Sequence, residues 1–537
     1  MRNSSLARLL LKSTGRKFHG IAGTGDNNLL INEVSNWRAA LKKDLAIKFP
    51  KERKAASIYK VPVKMREVQP DAYVPNIISI GPYHHGDKRL QEMEELKWGF
   101  FHRLFGPKKA PDIAVELDHV MNAMEDLEQE ARKCYWDEAE QIKKDKFVKI
   151  MLVDGCFIVE LFRELKQNSF HYCPSVKRWM LPTLRRDLIM LENQIPLFVL
   201  QRLFELTRRS KESTLEQLAL MFFNPLLKRE HSNNPDVNAE GIGKSQHFLD
   251  LFRLSILPKM VTRAAESDMK RSMTELMESG VVVEKSVVNR PPLDVRCDGR
   301  WLQIPPLYID DYKGTLIRNM VAYEQCHSNC KPDVTSYLFF FDGLINSAHD
   351  VELLHHKGVL QHSLGSNKEV AKLVNGLCKE IARDSRKSYL HKVVFDINSY
   401  CDSSYAKIRA RLVHHYFSNW VVGISTFGAL VVLYLTVIQT CYGYVKDQPQ
   451  FDKPFHHHLL DSITLPILHL FTFEKNQEES EPEFHEPFHH NLLNFIINSI
   501  IVPICHLFTL GKNKEKFWHE STDDEYFQIV PHWVLSV

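Results

Sequence analysis

The chain has 537 residues, 44% of them apolar and 25% charged, with a formal net charge of +3. That composition can bury a substantial core and excludes a chain disordered throughout, and the length suggests two to four folding units. The small, evenly mixed charge argues against a nucleic-acid partner, and ten dispersed cysteines in so long a chain do not spell the disulfide framework of a small secreted domain.

Residues 1–30 form a basic leader, with Arg2, Arg8, Lys12, Arg16 and Lys17 and no acid before Asp26. Arg8 and Lys12 interrupt the apolar run that a secretory signal needs, which leaves an organelle transit peptide or a merely basic, disordered tail. A helical domain is expected over 31–412. Ile31, Val34, Leu41 and Leu45 recur at near-helical spacing with Trp37 on the same stripe, and Pro50 stops that helix. From Ser57 the texture changes. Pro62, Pro70, Pro75 and Pro82 forbid a helix interior and hold an ordered loop anchored by apolar residues such as Ile58, Tyr59, Val61, Tyr73, Ile78 and Ile80. The next helix begins at Lys88, carries Leu90, Met93, Leu96, Phe100 and Leu104 on one face, and ends at Gly106-Pro107.

Helical periodicity then dominates from Ile113 to Leu206. Met121, Met124, Leu127 and Ala131 form one stripe, while Val148 to Leu165 is apolar nearly all round and should be central. A third helix is read from Leu184 to Phe204, where Pro196 implies a kink or two abutting helices. Asp154, Glu160, Asp187 and Glu192 fall inside these apolar runs and need partners; Arg163, Arg178, Arg185 and Arg186 are the nearest in sequence.

Lys228 to Lys244 is polar and reads as a surface excursion, after which helices are expected at His247 to Leu254 and Met273 to Glu278. One β signal follows. Val281 to Val283 is β-branched, and Leu293 to Cys297 and Arg300 to Ile304 alternate about Asp298-Gly299, which predicts a small antiparallel sheet on the helical body. Further helices are predicted at Thr315 to Cys326, Val334 to Asn346, Asp350 to Lys357 and Lys368 to Ile381.

From Tyr416 to Tyr444 the chain is uncharged, and its centre, Val421 to Ile438, is apolar. At about 1.5 Å per residue such a helix crosses a hydrocarbon core of roughly 30 Å. Trp420 at one end, Tyr442 and Tyr444 at the other, and Arg409, Arg411 and Lys446 outside match interfacial aromatics and cationic anchors. The fold class expected is therefore mainly α: a large helical domain with a small antiparallel β-hairpin sheet, a transmembrane helix over 416–444, and a membrane-proximal tail over 445–537. The lipid bilayer is a partner on this reading. The sole Asn-x-Ser/Thr sequon is at Asn3, and Lys407, Arg409 and Arg411 precede the span, so the large domain is expected on the cytosolic side.

Several stretches, in order, carry a family resemblance: SIYKVP at Ser57 to Pro62 with Arg66, AYVPNIISIGPYHHG at Ala72 to Gly86, Met93-Glu94 with Lys97-Trp98, and DGCFIVELF at Asp154 to Phe162. They continue with DLIMLENQIPLFVLQRLF at Asp187 to Phe204, HFLDLFR at His247 to Arg253, IPPLYIDD at Ile304 to Asp311, RNMVAYEQCH at Arg318 to His327 and TSYLFFFDGLI at Thr335 to Ile345. YFSNWVVGIS precedes the span. Over roughly residues 35 to 444 the chain resembles the plant "domain of unknown function 247" family. The resemblance implies a plant-specific, largely helical protein, usually held by one C-terminal transmembrane segment, with no assigned biochemistry and no catalytic residues to carry over. Some grass relatives are associated with pollen–stigma self-incompatibility, which suits recognition or signalling. The basic leader and the long tail depart from the family pattern.

The tail holds an internal repeat, 453–479 and 486–516, in which Pro454 answers Pro487 and His469-Leu470-Phe471-Thr472 answers His506-Leu507-Phe508-Thr509. Interfacial segments, a re-entrant pair, or a second span from 487–511 all fit this repeat, the interfacial form best.

The sequence carries no cofactor motif and no convincing metal site. Cys326 and Cys330 in CHSNC lack further ligands at zinc spacing, and His485-Glu486-Pro487-Phe488-His489 has a proline where two zinc-binding histidines would need a helix. No catalytic residue is assigned. Tyr83-His84-His85 is the most chemical-looking spot: an enzyme would pair His84 or His85 with Glu94 or Asp154 as acid and base, whereas a structural role would have these rings brace the helix near Lys88. The function expected is a membrane-anchored protein of interaction, recognition or signalling with an unidentified protein partner, with a membrane-associated enzyme of unfamiliar type as the alternative. The plasma membrane is the expected site, and the leader leaves organelle targeting open.

Overall fold

The computed structural model describes residues 36–45, 56–106, 116–227 without 137–138, 168–172 and 174, 242–416 without 259–261, 265–267, 287–289 and 385–387, and 425, 428–437 and 439–440. The leader, both repeats, and Trp420, Val421, Ile438 and Tyr444 lie outside the described residues. The chain is mainly helical with a small mixed sheet, and it divides into two units. Unit 1 comprises Met1–Lys259, Asp310–Thr335 and Lys379–Arg383; unit 2 comprises Met260–Ile309, Ser336–Cys378 and Asp384–Val537.

Unit 1 is built around the helix Lys144–Gln167, the predicted central element. Phe147, Phe157 and Phe162 are fully buried on it, and each such ring contributes about 1.5–3 kcal/mol by leaving water. Gly155 lets a neighbour close in, since a Cβ there would meet Leu203 Cδ1 at 2.3 Å. The helix packs against Gln91–Phe105, Leu117–Lys133, Leu197–Leu206 and Leu215–Phe223. On Leu117–Lys133 the buried face is Val120, Ala123, Met124 and Ala131, so the expected stripe is rotated and Met121 is exposed. Thr214 and Gln217 form a capping box that fixes the start of Leu215–Phe223.

The helix read from Leu184 to Phe204 is two helices, Met180–Asp187 and Leu197–Leu206. Leu188 to Pro196 between them is a buried, irregular turn. Its apolar side chains fill the core as those of a helix would, and Pro196 supplies the N-cap of the second helix. The proline-rich stretch likewise holds a short helix, Val63–Val68, opened by Pro62, and a one-turn helix, Pro70–Tyr73. Phe248–Ile256 and Lys313–Cys326 complete the unit.

In unit 2, Ser272 and Glu275 form a capping box at the start of Met273–Ser279, and Gly280, with φ +93°, ends it in the left-handed conformation. The sheet differs from the antiparallel one expected. Strands β1 (Val282–Lys285), β2 (Arg296–Asp298) and β3 (Trp301–Ile304) lie in the order β1-β3-β2. The hairpin is present, with Asp298 opposite Trp301 and Cys297 opposite Leu302, but β1 runs parallel to β3, with Val283 opposite Leu302. The two-residue loop is Gly299-Arg300, and Gly299 alone takes positive φ, +57°, the pattern of a type II′ turn. A second, parallel pair joins β4 (Leu307–Ile309) to β5 (Leu360–His362). The helices Ala348–His356, Asn367–Leu377, His391–Asp402 and Ser404–Tyr416 follow in this unit; the last two had no counterpart in the periodicity reading. Beyond them 428–437 is helical. Among the described residues no helix is long and apolar enough to cross a membrane.

Candidate functional site

The expected chemical spot, His84-His85, closes the proline-rich segment 57–87 in unit 1. This segment makes no sheet, so its backbone groups must find side-chain partners as it enters the core. They do so on Asp187 and the turn 188–196 that follows it, on the central helix and on Lys313–Cys326. Asp187 Oδ2 accepts three consecutive amides, from Asn76 at 2.9 Å, Ile77 at 2.7 Å and Ile78 at 3.2 Å. Asn193 Oδ1 accepts Ile80 N at 2.6 Å while its Nδ2 donates to Ile78 O at 3.1 Å. Asp154 Oδ2 accepts Gly81 N at 2.9 Å. Asn319 Nδ2 donates to Ala72 O, and its Oδ1 accepts Leu191 N, so one amide ties the segment and the turn together. Gln194 holds the turn itself, with Nε2 donating to Leu188 O and Met190 O.

Gly81 is required at the crossing. Its φ is +71°, and a Cβ would stand 2.5 Å from Gln194 O and 3.1 Å from Tyr135 Oη. Tyr135 donates to Gln194 O at 2.9 Å, and the Tyr83 ring meets it edge-on at 5.6 Å.

Lys97 neutralises this interior. It is fully buried, and its ammonium donates to Ser79 O, to Glu94 Oε1 at 2.6 Å and to Asp154 Oδ1 at 2.7 Å, with Ser79 Oγ at 3.3 Å beside them, so all three of its N–H donors are satisfied. Burial nevertheless pushes the Asp154 carboxyl up to about 6 against the opposing pull of Lys97. Asp187 is also raised by burial, with the three amides and Arg186 opposing. Glu192 accepts Val61 N at 2.6 Å and pairs with Arg66, and its Oε2 stands 3.5 Å from His84 Nε2.

The expected pairing of His84 or His85 with Glu94 or Asp154 is therefore not what the structure assembles. Glu94 and Asp154 are joined to Lys97, and the carboxylate beside His84 is Glu192. His85 Nδ1 is buried with no hydrogen-bond partner, and burial lowers the pKa of this ring. The arginines nearest in sequence supply only part of the neutralisation: Arg163 joins Glu160, and Arg186 lies 3.3 Å from Asp187. Lys97, Arg66 and Arg209 were missed, because each reaches its carboxylate from a different segment.

A second buried cluster lies in the same unit. His247 is wholly buried; its Nδ1 accepts Asp250 N and its Nε2 faces Ser57 O at 3.0 Å, so the proton sits on Nε2. Its ring meets Tyr323 edge-on at 4.8 Å, and Tyr323 stacks on His327 at 5.2 Å. His327 Nδ1 is 2.9 Å from Tyr59 Oη. Burial lowers His247 to about 4. Glu324 accepts Val334 N and Thr335 N and lies 3.4 Å from Arg253, yet burial raises it to about 7. Cys326 and Cys330 are free thiols and only half-buried. His355 and His356 are exposed.

Chemically, this arrangement fixes backbone. Ser57, Ala72, Ile78, Asp154, Asp187, Asn193, His247 and Asn319 all belong to the stretches that carry the family resemblance, and each makes a hydrogen bond inside the core through its backbone or its side chain. The comparisons agree with that resemblance. The model of a family described as plant protein of unknown function, DUF247, matches residues 58–435. UPF0481 protein At3g47200 of Arabidopsis thaliana is 30% identical over 431 residues, covering 72% of this chain and 86% of its own length. Putative UPF0481 protein At3g02645 of the same plant is 24% identical over 509 residues, covering 76% of this chain and 94% of its own. No solved structure matches. With most of its length under that family model, the chain belongs to the DUF247 family of plant proteins of unknown function.

Proposed function

We propose that the chain is a tethered interaction protein, whose helical body binds a protein partner in recognition or signalling while segment 416–444 holds it in a membrane. The observation that carries this reading is the saturation of the polar interior: Lys97, Asp154, Asp187 and Asn193 are bound to backbone or to one another, which leaves no free carboxylate beside His85 to act as a base. The tether is supported by the uncharged run from Leu412 to Val445 and by the helix at 428–437, where Val432, Leu433 and Leu435 are more than half exposed. Bare apolar side chains clustered on one helical turn suit lipid better than water. The large domain then faces the cytosol, at the plasma membrane, and nucleic acid is not a partner.

Proximity labelling from the N-terminus of the full-length chain tests the interaction reading. A reproducible partner set, retained by His84→Ala and His85→Ala, is expected; labelling no different from a membrane-anchored control overturns it. Alkaline carbonate extraction tests the tether, since a chain released to the supernatant is not spanning.

One observation favours an enzyme instead. His84 Nε2 is buried without a hydrogen bond and stands 3.5 Å from Glu192 Oε2, a distance that a bound substrate or water could close into an acid–base pair. On that reading His84→Ala abolishes turnover of a substrate while leaving the partner set intact.

A further inference from the structure

The helix 36–45 carries Trp37, Leu41 and Leu45 at intervals of four, on one stripe, and the three are 61%, 51% and 58% exposed. An amphipathic helix forms to bury such a stripe, and the described part of unit 1 does not cover it. The surrounding charge says what does. From Arg38 to Lys54 there are seven Lys and Arg against two acids, Asp44 and Glu52. Arg38 and Lys42 border the stripe on one side, Asp44 on the other, and Lys43 lies behind. Arg38, Lys42 and Lys43 are themselves exposed, so their ammonium and guanidinium groups can reach out past the stripe.

A protein groove would complement the apolar stripe but would not require three cations, Arg38, Lys42 and Lys43, against the single acid Asp44 on the same short helix. An anionic lipid surface complements both: the indole and leucines enter the acyl boundary while Lys and Arg meet headgroup phosphates and carboxylates. We propose that helix 36–45 lies on an anionic membrane leaflet as a second, charge-dependent contact. It does not rest on the span at 416–444, which would insert whatever the lipid charge.

Full-length protein is mixed with vesicles of phosphatidylcholine alone or with added phosphatidylserine, and hydrogen exchange of amides 36–45 is followed by mass spectrometry. Exchange is expected to slow about tenfold or more with phosphatidylserine only, and high salt should reverse it. The double variant Trp37→Ala/Leu41→Ala and the reversal Lys42→Glu/Lys43→Glu should each lose the slowing; all four side chains are exposed, so the folded body is unaffected. Equal protection in both vesicles, or protection already present in lipid-free protein, overturns the proposal; the latter would mean that protein covers the stripe. Binding to neutral vesicles that resists salt reports the C-terminal anchor instead, so the two contacts fail separately.

Discussion

Lys97 Nζ lies 2.7 Å from Asp154 Oδ1, with the lysine side chain wholly excluded from water. An ammonium at that depth is tolerated because Ser79 O and Glu94 take its other protons. Removing one partner leaves the other as an uncompensated buried charge, whereas removing both does not. Lys97→Met is therefore expected to cost about 3–5 kcal/mol in urea denaturation, and Lys97→Met/Asp154→Leu to recover much of that loss. Additive losses in the double variant would mean that the pair is not coupled.

Asp187 is expected to matter through hydrogen bonds more than through charge. Asp187→Ala orphans the amides of Asn76, Ile77 and Ile78, and each buried unmade hydrogen bond costs about 1–3 kcal/mol. Asp187→Asn keeps an acceptor and should be milder. Native-state hydrogen exchange at 76–78 measures this directly, with fast exchange in the alanine variant and intermediate protection in the asparagine one.

Gly81→Ala meets two obstacles at once, a left-handed φ and a carbonyl oxygen at 2.5 Å. A strained φ alone costs about 1–3 kcal/mol, and the clash adds to it, because Gln194 O is backbone fixed by the Tyr135 hydroxyl. Gly86→Ala is the control. Its φ is also positive, +89°, but nothing lies within 4 Å, so the loss there should be confined to the backbone term. Thermal melts of the two variants that coincide would remove the steric part of the argument.

Stability should depend on pH with opposing contributions. Asp154 and Glu324 are raised by burial to about 6 and about 7, so between the unfolded values near 4 and these limits the folded chain holds the more protons. Their contribution is full below that window and is lost as pH rises through it. His247, lowered to about 4, works the other way: its contribution is full above roughly 6.5 and is lost as pH falls through about 4. Urea midpoints of Glu324→Gln should accordingly fall less between pH 5 and pH 8 than wild type, and those of His247→Gln should fall less on acidification. An unchanged pH slope in either variant assigns the titration to other groups.

How much of this was legible beforehand depends on how far each signal reaches along the chain. The central helix Lys144–Gln167, the helical starts at Lys88 and Met273, and the Gly299 hairpin are local patterns, and periodicity together with the Asp-Gly signal pointed to them. The turn 188–196 was mistaken for helix, because a buried irregular stretch and a buried helix are equally apolar and Pro196 alone could not say which. The parallel β1–β3 and β4–β5 pairings join strands with no turn between them, so alternation gave no hint of either. The site was half legible. Asp154, Asp187 and Glu192 stood out as acids in apolar runs, yet the amides of Ile77 and Gly81 that bind Asp187 and Asp154 come from a segment 110 and 73 residues away.

Asn319 joins Ala72 O to Leu191 N, and that amide has a bearing on how the protein is made. A ribosome releases residues 72 and 191 long before residue 319, and it releases 260–309, which belong to the other unit, in between. The first unit therefore waits, its proline-rich segment only partly fastened, until a stretch of the second has been synthesised. A chain interrupted short of Asn319 lacks the amide, and one interrupted between there and Thr335 lacks the carboxylate of Glu324 or the backbone that caps it. Such nascent fragments are natural clients for chaperones, and expression of the first unit should succeed only from boundaries that carry the chain through Lys379–Arg383, its last segment.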